Sequence, residues 1–370
     1  MILGLLPAIR GGLGELARTG QDARLIDGYL RPYARAFDAV RYFSYLDERL
    51  GDFTSDADLH ERVRVYAGGG WHPWTYAAAM AWRHRRALRE CSVLRVFQMT
   101  GALPAVIVRR RFGVPFVATY GFWYERLAGS ALTRALRRRV ISLGLAAADA
   151  VLCTTPELAA YVGRRVPANR IHLLPNGVDT ALFMPAPRPS SGRRRVLYVG
   201  RLAPEKNLGA LVEAAAKLGR RFDVVLSFIG DGPVRGSLQA HAESVGVAAE
   251  FTPFVEHRRL PAIFARADTF VLPSLTEGHP KVLLEAMSAG VPCVASNVGG
   301  NRAILTDDVT GLLFELSDPG ALADALARVL GDDALARRLA AQARAQIEER
   351  YDLRRLVARE IEVLRGVAAR

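Results

Sequence analysis

The chain has 370 residues, of which 50% are hydrophobic and 24% are charged. This length exceeds what one hydrophobic core usually holds, so two globular domains are expected and a disordered chain is excluded. Its longest apolar runs fall short of the ~20 residues of a membrane span. The cysteines, Cys91, Cys153 and Cys293, have no metal-ligand spacing. They indicate a cytoplasmic protein with reduced thiols.

The net charge of +13 is concentrated in the first 185 residues, where 25 arginines and 15 acidic residues leave +10. Much of this excess lies in the arginine runs at 83–86, 109–111 and 134–139. Such runs are either solvated helix faces or a surface for anionic lipid, which would place the protein on the inner face of a membrane. Nucleic acid is not expected as a partner, because no nucleic-acid motif or aromatic stacking platform accompanies the charge.

The first half of the chain alternates strand and helix patterns. The strand candidates are Ile2–Leu6, Ala39–Tyr45, Val93–Met99, Pro115–Tyr120 and Ala150–Thr155, with helices that include Tyr76–Leu88 and Leu132–Ala147. This alternation predicts a parallel sheet covered on both faces. After the first strand, Gly12 lies in a glycine turn that could receive a diphosphate. The full dinucleotide fingerprint is absent, which argues against NAD.

A second alternation follows the proline-rich segment 185–192, which is typical of a linker. Its strand candidates are Val196–Val199, Val224–Ile229, Glu250–Phe254, Thr269–Leu272 and Pro292–Ala295. Its helix candidates are Leu208–Leu218, Val234–Ser244, Arg258–Ala265 and Val282–Ala289, and the tail from Ala321 is helical. The fold class is therefore α/β, with two Rossmann-like domains at 1–183 and 184–351. Ligands of such sheets bind at the carboxyl ends of the strands, so a cleft between the domains is expected.

Two motifs of the second half suit a sugar nucleotide. Arg201 and Lys206 follow a strand, and a guanidinium with an ammonium suits a diphosphate. The chain has only three lysines among its 50 basic residues, and two of them lie in these motifs. In the second motif, Glu277 and Glu285 flank a Gly-His-Pro turn and the start of a helix, where free backbone N–H groups favour a polyhydroxyl or phosphate ligand. The turn at Gly230-Asp231-Gly232 allows close backbone approach to a ligand, or is simply a tight turn.

Together these motifs resemble the retaining nucleotide-sugar glycosyltransferases of the two-Rossmann (GT-B) type, family 4, also called glycosyl transferases group 1. The matching segments are Val199–Leu202, Lys206–Leu208, Gly230–Pro233, Pro273-Ser274, Glu277–Glu285, Ala289–Pro292, Gly299-Gly300 and Asn176–Asp179. The resemblance implies a C-terminal helix, about 352–370, that crosses back onto the first domain.

The resemblance also implies roles for individual residues. Arg201, Lys206 and Glu277 would be catalytic, with the two cations holding the donor diphosphate in place of a metal. Same-face attack by the acceptor would then need no protein nucleophile, so the two carboxylates are not the acid and nucleophile of a hydrolase. The donor-binding residues would be Gly12, Gly230, Asp231, Gly232, Gly278, His279, Pro280, Lys281, Val282 and Glu285, with Glu285 accepting the ribose hydroxyls.

The first half departs from the family pattern. Many relatives carry a histidine at the end of the strand Pro115–Thr119, where this chain has Tyr120-Gly121-Phe122-Trp123. We therefore expect Tyr120, Gly121 and Trp123, with His72, to contact the sugar or the acceptor, or alternatively to be structural.

The expected function is metal-independent transfer of a sugar, from a UDP-sugar or next a GDP-mannose donor, to a lipid-linked, polysaccharide or small-molecule acceptor. A sugar phosphorylase, a nucleotide-sugar epimerase and a non-catalytic sugar-nucleotide-binding protein remain alternatives.

Overall fold

A computed structural model of the protein describes residues 1–124, 130–187, 192–219 and 221–370. The chain forms two compact units. The N-terminal unit consists of Met1–Pro175 with Arg354–Arg370, and the C-terminal unit consists of Asn176–Leu353. Part of the predicted linker, residues 188–191, lies outside the described residues.

The N-terminal unit contains a seven-stranded parallel sheet in the order β3-β2-β1-β4-β5-β6-β7. Its strands are β1 (Ile2–Leu6), β2 (Ala39–Phe43), β3 (Val63–Tyr66), β4 (Val93–Val96), β5 (Phe116–Tyr120), β6 (Ala150–Cys153) and β7 (Ile171–Leu173). Its helices are α1 (Leu13–Ala17), α2 (Asp22–Leu25), α3 (Arg31–Ala36), α4 (Ala57–Arg62), α5 (Pro73–Arg83), α6 (Arg85–Arg89), α7 (Leu103–Phe112), α8 (Ala131–Ala147) and α9 (Pro156–Val162). Strands β4 and β6 are buried along their whole length, as expected of a sheet covered on both faces.

The C-terminal unit contains a six-stranded parallel sheet in the order β10-β9-β8-β11-β12-β13. Its strands are β8 (Arg194–Val199), β9 (Val224–Ile229), β10 (Ala248–Thr252), β11 (Thr269–Leu272), β12 (Cys293–Ser296) and β13 (Leu312–Phe314). Its helices are α10 (Leu208–Leu218), α11 (Arg235–Ser244), α12 (Leu260–Phe264), α13 (Lys281–Ser288), α14 (Gly299–Arg302), α15 (Ala321–Gly331) and α16 (Asp333–Arg350). The last helix, α17 (Leu353–Ala368), begins at the end of this unit and continues in the N-terminal unit.

The structure divides the chain after Pro175, eight residues before the predicted boundary at 183. The reason is the packing of the intervening segment. Val178 and Phe183 are both buried in the hydrophobic core of the C-terminal unit. The backbone N–H of Val178 also donates to Tyr351, and that of Leu353 donates to the carbonyl of Val178. These contacts hold the segment after Pro175 on the C-terminal sheet.

A buried ion pair fixes α17 within the N-terminal unit. The Glu360 carboxylate accepts hydrogen bonds from the guanidinium of Arg95, on β4, and from the hydroxyl of Tyr33, on α3. Burial opposes the Arg95 charge, but Glu360 outweighs it and raises the arginine pKa above its ordinary value. Removing one partner of such a pair costs about 3–5 kcal/mol, so Glu360 specifies where α17 docks.

Among the described helices, none is both long and apolar enough to cross a bilayer.

Candidate active site

The candidate site lies where the strand order of the C-terminal sheet reverses. From β8 the chain proceeds to β9 and β10 on one side, and then returns to β11 on the other side of β8. In open parallel sheets, ligands bind outside the carboxyl ends of the strands at such a switch point. Lys206 follows β8, and Ser274 and Glu277 follow β11, so all three residues lie at this position.

Lys206, Glu277 and Ser274 form a hydrogen-bonded group. The Lys206 Nζ lies 2.6 Å from Glu277 Oε1, and the buried Ser274 Oγ donates to the same oxygen over 2.7 Å. The Glu277 residue is 8% exposed, whereas the Lys206 side chain is 21% exposed. The backbone N–H of Leu275 donates to the backbone carbonyl of Glu205 and so connects the loop after β11 with the loop after β8. The fold therefore holds an ammonium group at the switch point, where it can bind an anionic ligand.

The turn that carries Lys206 is a short 3₁₀ helix at Pro204–Lys206. Asn207 follows it with φ of +53°, in the left-handed region that asparagine tolerates better than most residues. This residue connects the turn to α10. Arg201, predicted as the second cation, is exposed, and its carbonyl accepts a hydrogen bond from the Tyr198 hydroxyl. The structure thus places Arg201 and Lys206 after the same strand, but only Lys206 pairs with Glu277.

Gly230 and Gly232 lie where the ends of β8 and β9 approach each other. A Cβ atom on Gly230 would lie 2.0 Å from the Gly200 carbonyl oxygen, and one on Gly232 would lie 2.2 Å from that of Leu202. Gly230 also has φ of +137°. Close backbone packing therefore requires both glycines, and a donor contact by Gly230, Asp231 or Gly232 stays a prediction.

Glu285 lies inside α13 and is only 2% exposed. Its Oε1 is 2.9 Å from the Nε2 of His257, which is 5% exposed and lies in a 3₁₀ turn before α12. Sequence reasoning missed His257. No spacing connects residues 28 positions apart, so the pair becomes visible only in the fold. Glu277 and Glu285 therefore have different partners, a lysine and a histidine.

The turn between the two carboxylates is buried. The carbonyl of His279 accepts a hydrogen bond of 2.7 Å from the Asn176 side chain, and the His279 ring lies 5.5 Å from that of Tyr351. Burial, with a smaller effect of Lys281, lowers the His279 pKa to about 3, so the imidazole is neutral near pH 7. Among the described residues, its Nδ1 has no hydrogen-bond partner.

The flanking residues of this turn are closely packed. A Cβ on Gly300 would lie 2.5 Å from the Gly278 carbonyl oxygen, which explains the glycine at position 300. Pro280 precedes α13 as its N-cap, and Lys281 and Val282 form the first turn of that helix. The backbone N–H groups of this turn are those that an oxygen-rich ligand could reach.

Both halves of the chain match patterns of known glycosyltransferase families. The pattern described as "Glycosyl transferases group 1" matches residues 180–346, and the one described as "Glycosyltransferase Family 4" matches residues 15–182. The chain belongs to the group 1 glycosyl transferases. The first pattern includes the C-terminal site residues described above, whereas the second begins after Gly12.

Curated relatives of this family match about half of the chain. The UDP-Gal:alpha-D-GlcNAc-diphosphoundecaprenol alpha-1,3-galactosyltransferase of Escherichia coli is 33% identical over 180 residues, which are 45% of this chain and 46% of that protein. The D-inositol 3-phosphate glycosyltransferase of Xylanimonas cellulosilytica is 37% identical over 224 residues, or 54% and 53%. The chain thus spans about half the length of the curated relatives it matches.

Solved structures match the whole fold of this group 1 glycosyl transferase. Sucrose-phosphate synthase from Thermosynechococcus elongatus has a TM-score of 0.83 at 22% identity and covers 100% of this chain and 99% of its own. HepE of Anabaena, in complex with UDP and glucose, has a TM-score of 0.79 at 19% identity and covers 99% of each chain. At these identities the likeness concerns the fold of two Rossmann-like domains.

The predicted sugar or acceptor contacts lie in the N-terminal unit. Tyr120 is fully buried at the end of β5, against the rings of Tyr124 and Tyr161. This burial fits the structural alternative, and a ligand contact by Tyr120 stays a prediction. Trp123 is partly buried against Tyr161, and Gly121 faces Thr154. His72 is exposed. A ligand contact by Gly121, Trp123 or His72 stays a prediction.

The glycine turn after β1 has an acidic partner. The Glu48 carboxylate accepts hydrogen bonds from the backbone N–H groups of Leu13 and Gly14, over 2.9 and 2.7 Å. A Cβ on Gly12 would lie 2.7 Å from the Ser44 hydroxyl and 2.8 Å from Glu48. These close contacts explain why residue 12 is a glycine, which the sequence did not reveal. A contact of Gly12 with the diphosphate stays a prediction.

No group of three or more acidic, histidine or cysteine side chains that could hold a metal ion occurs in the described part of the chain.

Proposed function

We propose that the protein is a retaining glycosyltransferase that moves a sugar from a nucleotide-diphosphate sugar to an acceptor hydroxyl. The observation that carries this proposal is the Lys206–Glu277 pair at the switch point of the C-terminal sheet. An ammonium group beside a carboxylate offers one partner for phosphate oxygens and another for sugar hydroxyls. Family membership supports the same activity.

A UDP-sugar is the donor that we favour, followed by GDP-mannose. Both occur in the names of relatives: the galactosyltransferase of Escherichia coli is named for UDP-Gal, and the alpha-mannosyltransferase of Mycolicibacterium smegmatis, 34% identical over 223 residues, is named for GDP-mannose. We propose a lipid-linked, polysaccharide or small-molecule acceptor.

In the proposed reaction, the bond between the anomeric carbon and the diphosphate oxygen breaks, and the acceptor oxygen forms a bond to the same face of that carbon. The acceptor proton passes to the departing phosphate. Lys206 and Arg201 stabilise the charge that develops on the leaving group, so no metal is required. Glu277 Oε1 already accepts from Lys206 and Ser274, which suits a carboxylate that positions sugar hydroxyls rather than a nucleophile. Glu285 positions the ribose.

The alternatives make different use of the same site. A phosphorylase would transfer the sugar to inorganic phosphate, and an epimerase would return a nucleotide sugar without an acceptor. A sensor would bind the donor without turnover. The proposed transferase releases a nucleoside diphosphate in proportion to the glycosylated acceptor, which none of these alternatives does.

We further propose that the N-terminal unit holds the enzyme at the cytoplasmic face of an anionic membrane. The arginines of these runs differ in their contacts. Arg109 forms a two-pronged ion pair with Asp149 at 3.0 Å, and Arg137 donates to the Tyr124 carbonyl, so both have structural roles. Arg138 and Arg139 are exposed on α8, the helix that also exposes two leucines.

A thermal-shift screen of UDP-, GDP- and ADP-sugars tests the proposed donor class. A ligand at 100 times its Kd stabilises the folded state by about 2.7 kcal/mol. For a chain of 370 residues that unfolds as one unit, that corresponds to a rise in Tm of roughly 3–4 °C. We expect one of the nucleotide sugars to produce such a rise and NAD to produce none. Unchanged Tm with all the nucleotide sugars, at millimolar concentration, would contradict the proposal.

A further inference from the structure

His257 forms a buried pair with Glu285, and the proposed mechanism gives a role to Glu285 only. We propose that His257 is a positioning residue that orients the Glu285 carboxylate toward the ribose hydroxyls of the donor. This inference rests on the proposed function, in which Glu285 accepts those hydroxyls. It adds a residue that lies outside the sequence motifs and acts through Glu285.

The chemistry of the contact supports this role. In the proposed role Glu285 is ionised and only accepts hydrogen bonds, so His257 Nε2 donates across the 2.9 Å distance to Oε1. A carboxylate offers about four acceptor sites on its two oxygens. A donor fixed at Oε1 therefore restricts the rotation of the carboxylate and leaves acceptor capacity for a vicinal diol. Vicinal hydroxyls are what the ribose of a nucleotide presents.

The surroundings of His257 keep its ring in place. The ring packs against that of Phe183, with centroids 5.1 Å apart, and Phe183 is fully buried and packs in turn against Phe264. Glu285 is fixed on the other side by its position within α13. Both partners of the hydrogen bond are therefore held by packed elements, as a pre-organised binding group requires.

The chain also contains a matched pair outside the site. His241 Nε2 lies 2.8 Å from Glu213 Oε1, but these side chains are 35% and 55% exposed. The two pairs share the same atoms, nearly the same distance and the same unit of the protein. They differ in burial and in location, so His241 provides the control for His257.

The experiment compares the affinity of ribose and dideoxyribose nucleotides for four variants. The probes are UDP and 2′,3′-dideoxy-UDP, or the GDP pair if GDP-sugars give the larger thermal shift. The variants are His257→Leu, His257→Asn, His257→Gln and His241→Leu. Hydrogen bonds from two hydroxyls to a carboxylate predict that the wild type binds the ribose nucleotide roughly 10–100-fold more tightly.

We expect His257→Leu and His257→Asn to reduce this affinity ratio at least tenfold. Gln places its amide N–H near the original Nε2 position, whereas Asn does not reach it, so His257→Gln should keep most of the ratio. His241→Leu should keep all of it. A merely structural role of His257 would weaken both nucleotides equally and leave the ratio unchanged.

The outcomes separate this inference from the proposed function. A wild-type ratio in His257→Leu, or equal ratios in the Asn and Gln variants, would overturn the role of His257 while nucleotide binding stands. If the Leu variant does not fold, the Asn and Gln variants decide the question, because both keep a polar side chain at the site. Failure of the wild type to bind either nucleotide would instead overturn the proposed function.

Discussion

At the level of single residues, the two carboxylates of the Glu277–Glu285 motif differ in their surroundings. Glu277 shares one oxygen between an ammonium and a hydroxyl, whereas Glu285 is bonded to a buried imidazole. The sequence shows two acids flanking a turn, which equally suits acid–base chemistry. The partners favour two positioning groups, one for the sugar and one for the ribose.

His279 makes the stability of the C-terminal unit dependent on pH. Its pKa is lowered, by burial first and by Lys281 second, to about 3 from an ordinary value of 6.5. Between these values the unfolded chain binds a proton that the folded protein does not. The stability of the folded unit is therefore complete above pH 6.5 and falls as the pH decreases toward 3, by up to about 1.4 kcal/mol per pH unit.

Denaturant unfolding of the wild type and His279→Gln between pH 7 and pH 4 measures this effect. We expect the free energy of unfolding to fall more steeply with acid in the wild type than in the variant. Replacement of the exposed His72 by Gln serves as the control and should leave the wild-type slope. Parallel pH profiles for wild type and His279→Gln would refute the burial argument.

Sequence reasoning located residues that follow a strand closely in the chain and missed contacts between residues that are distant in the chain. Lys206 was predicted from its rarity and its position after a strand. His257, Glu48 and Ser44 were not predicted, because their contacts with Glu285 and the Gly12 turn arise only from folding.

At the level of helices and strands, the central elements followed from the sequence, but three edge strands did not. All ten predicted strands exist, three with the predicted ends and seven with shifted ends. The missed strands β3, β7 and β13 lie at sheet edges. They have only three or four residues, which is too short for a sequence pattern to distinguish a strand from a loop. The predicted helix Tyr76–Leu88 is broken at His84, whose ring accepts or donates a 3.0 Å hydrogen bond with Tyr76.

Helix α8 is the element on which the proposed membrane association depends. Its first two turns are exposed, with Leu132 80% and Leu136 41% exposed and four residues apart, so both side chains lie on one face. Arg138 and Arg139, in the next turn of the helix, are also exposed. Leucines that enter the interface, with arginines beside anionic headgroups, are the pattern of a peripheral membrane helix.

Co-sedimentation with phosphatidylglycerol–phosphatidylcholine vesicles tests this surface. Each arginine near an anionic surface contributes about 1 kcal/mol, so Arg138→Gln/Arg139→Gln should weaken binding roughly tenfold or more. Leu132→Ser/Leu136→Ser should weaken it as well. The control, Arg164→Gln/Arg170→Gln, removes the same charge from other exposed positions of the N-terminal unit. Equal loss in the control would indicate a nonspecific charge effect, and unchanged binding in both α8 variants would exclude this surface.

At the level of the whole molecule, two Rossmann-like units with a returning C-terminal helix could be expected from the sequence, partly through family resemblance. The boundary between the two domains could not be located as accurately. The segment after Pro175 was assigned to the first domain, but Phe183 is buried in the second core. The proline-rich segment 185–192 was a plausible linker. The domain boundary instead depends on which of the two cores buries Phe183.

The site followed from the sequence to the extent that its motifs follow successive strands of one parallel sheet. Because all strands of the C-terminal sheet are parallel, their carboxyl ends lie along one edge, and motifs after β8 and β11 are brought together at the switch point. The sequence could not provide the pairing of Lys206 with Glu277, which requires the strand order.

The central claim is that Lys206 supplies the positive charge that stabilises the leaving diphosphate. The most direct measurement is the rate at which the bound nucleotide sugar releases its nucleoside diphosphate. The rate is measured for Lys206→Gln and Lys217→Gln, with a panel of acceptors that includes lipid-linked sugars. Gln removes the charge and keeps a polar side chain that can donate a hydrogen bond. Lys217 is exposed and bonds the Pro319 carbonyl.

We expect Lys206→Gln to lose turnover by about 10²–10³-fold, as removal of a transition-state charge partner does, and to remain folded. Lys217→Gln should turn over at the wild-type rate. A folded Lys206→Gln protein with near-wild-type turnover would contradict the account.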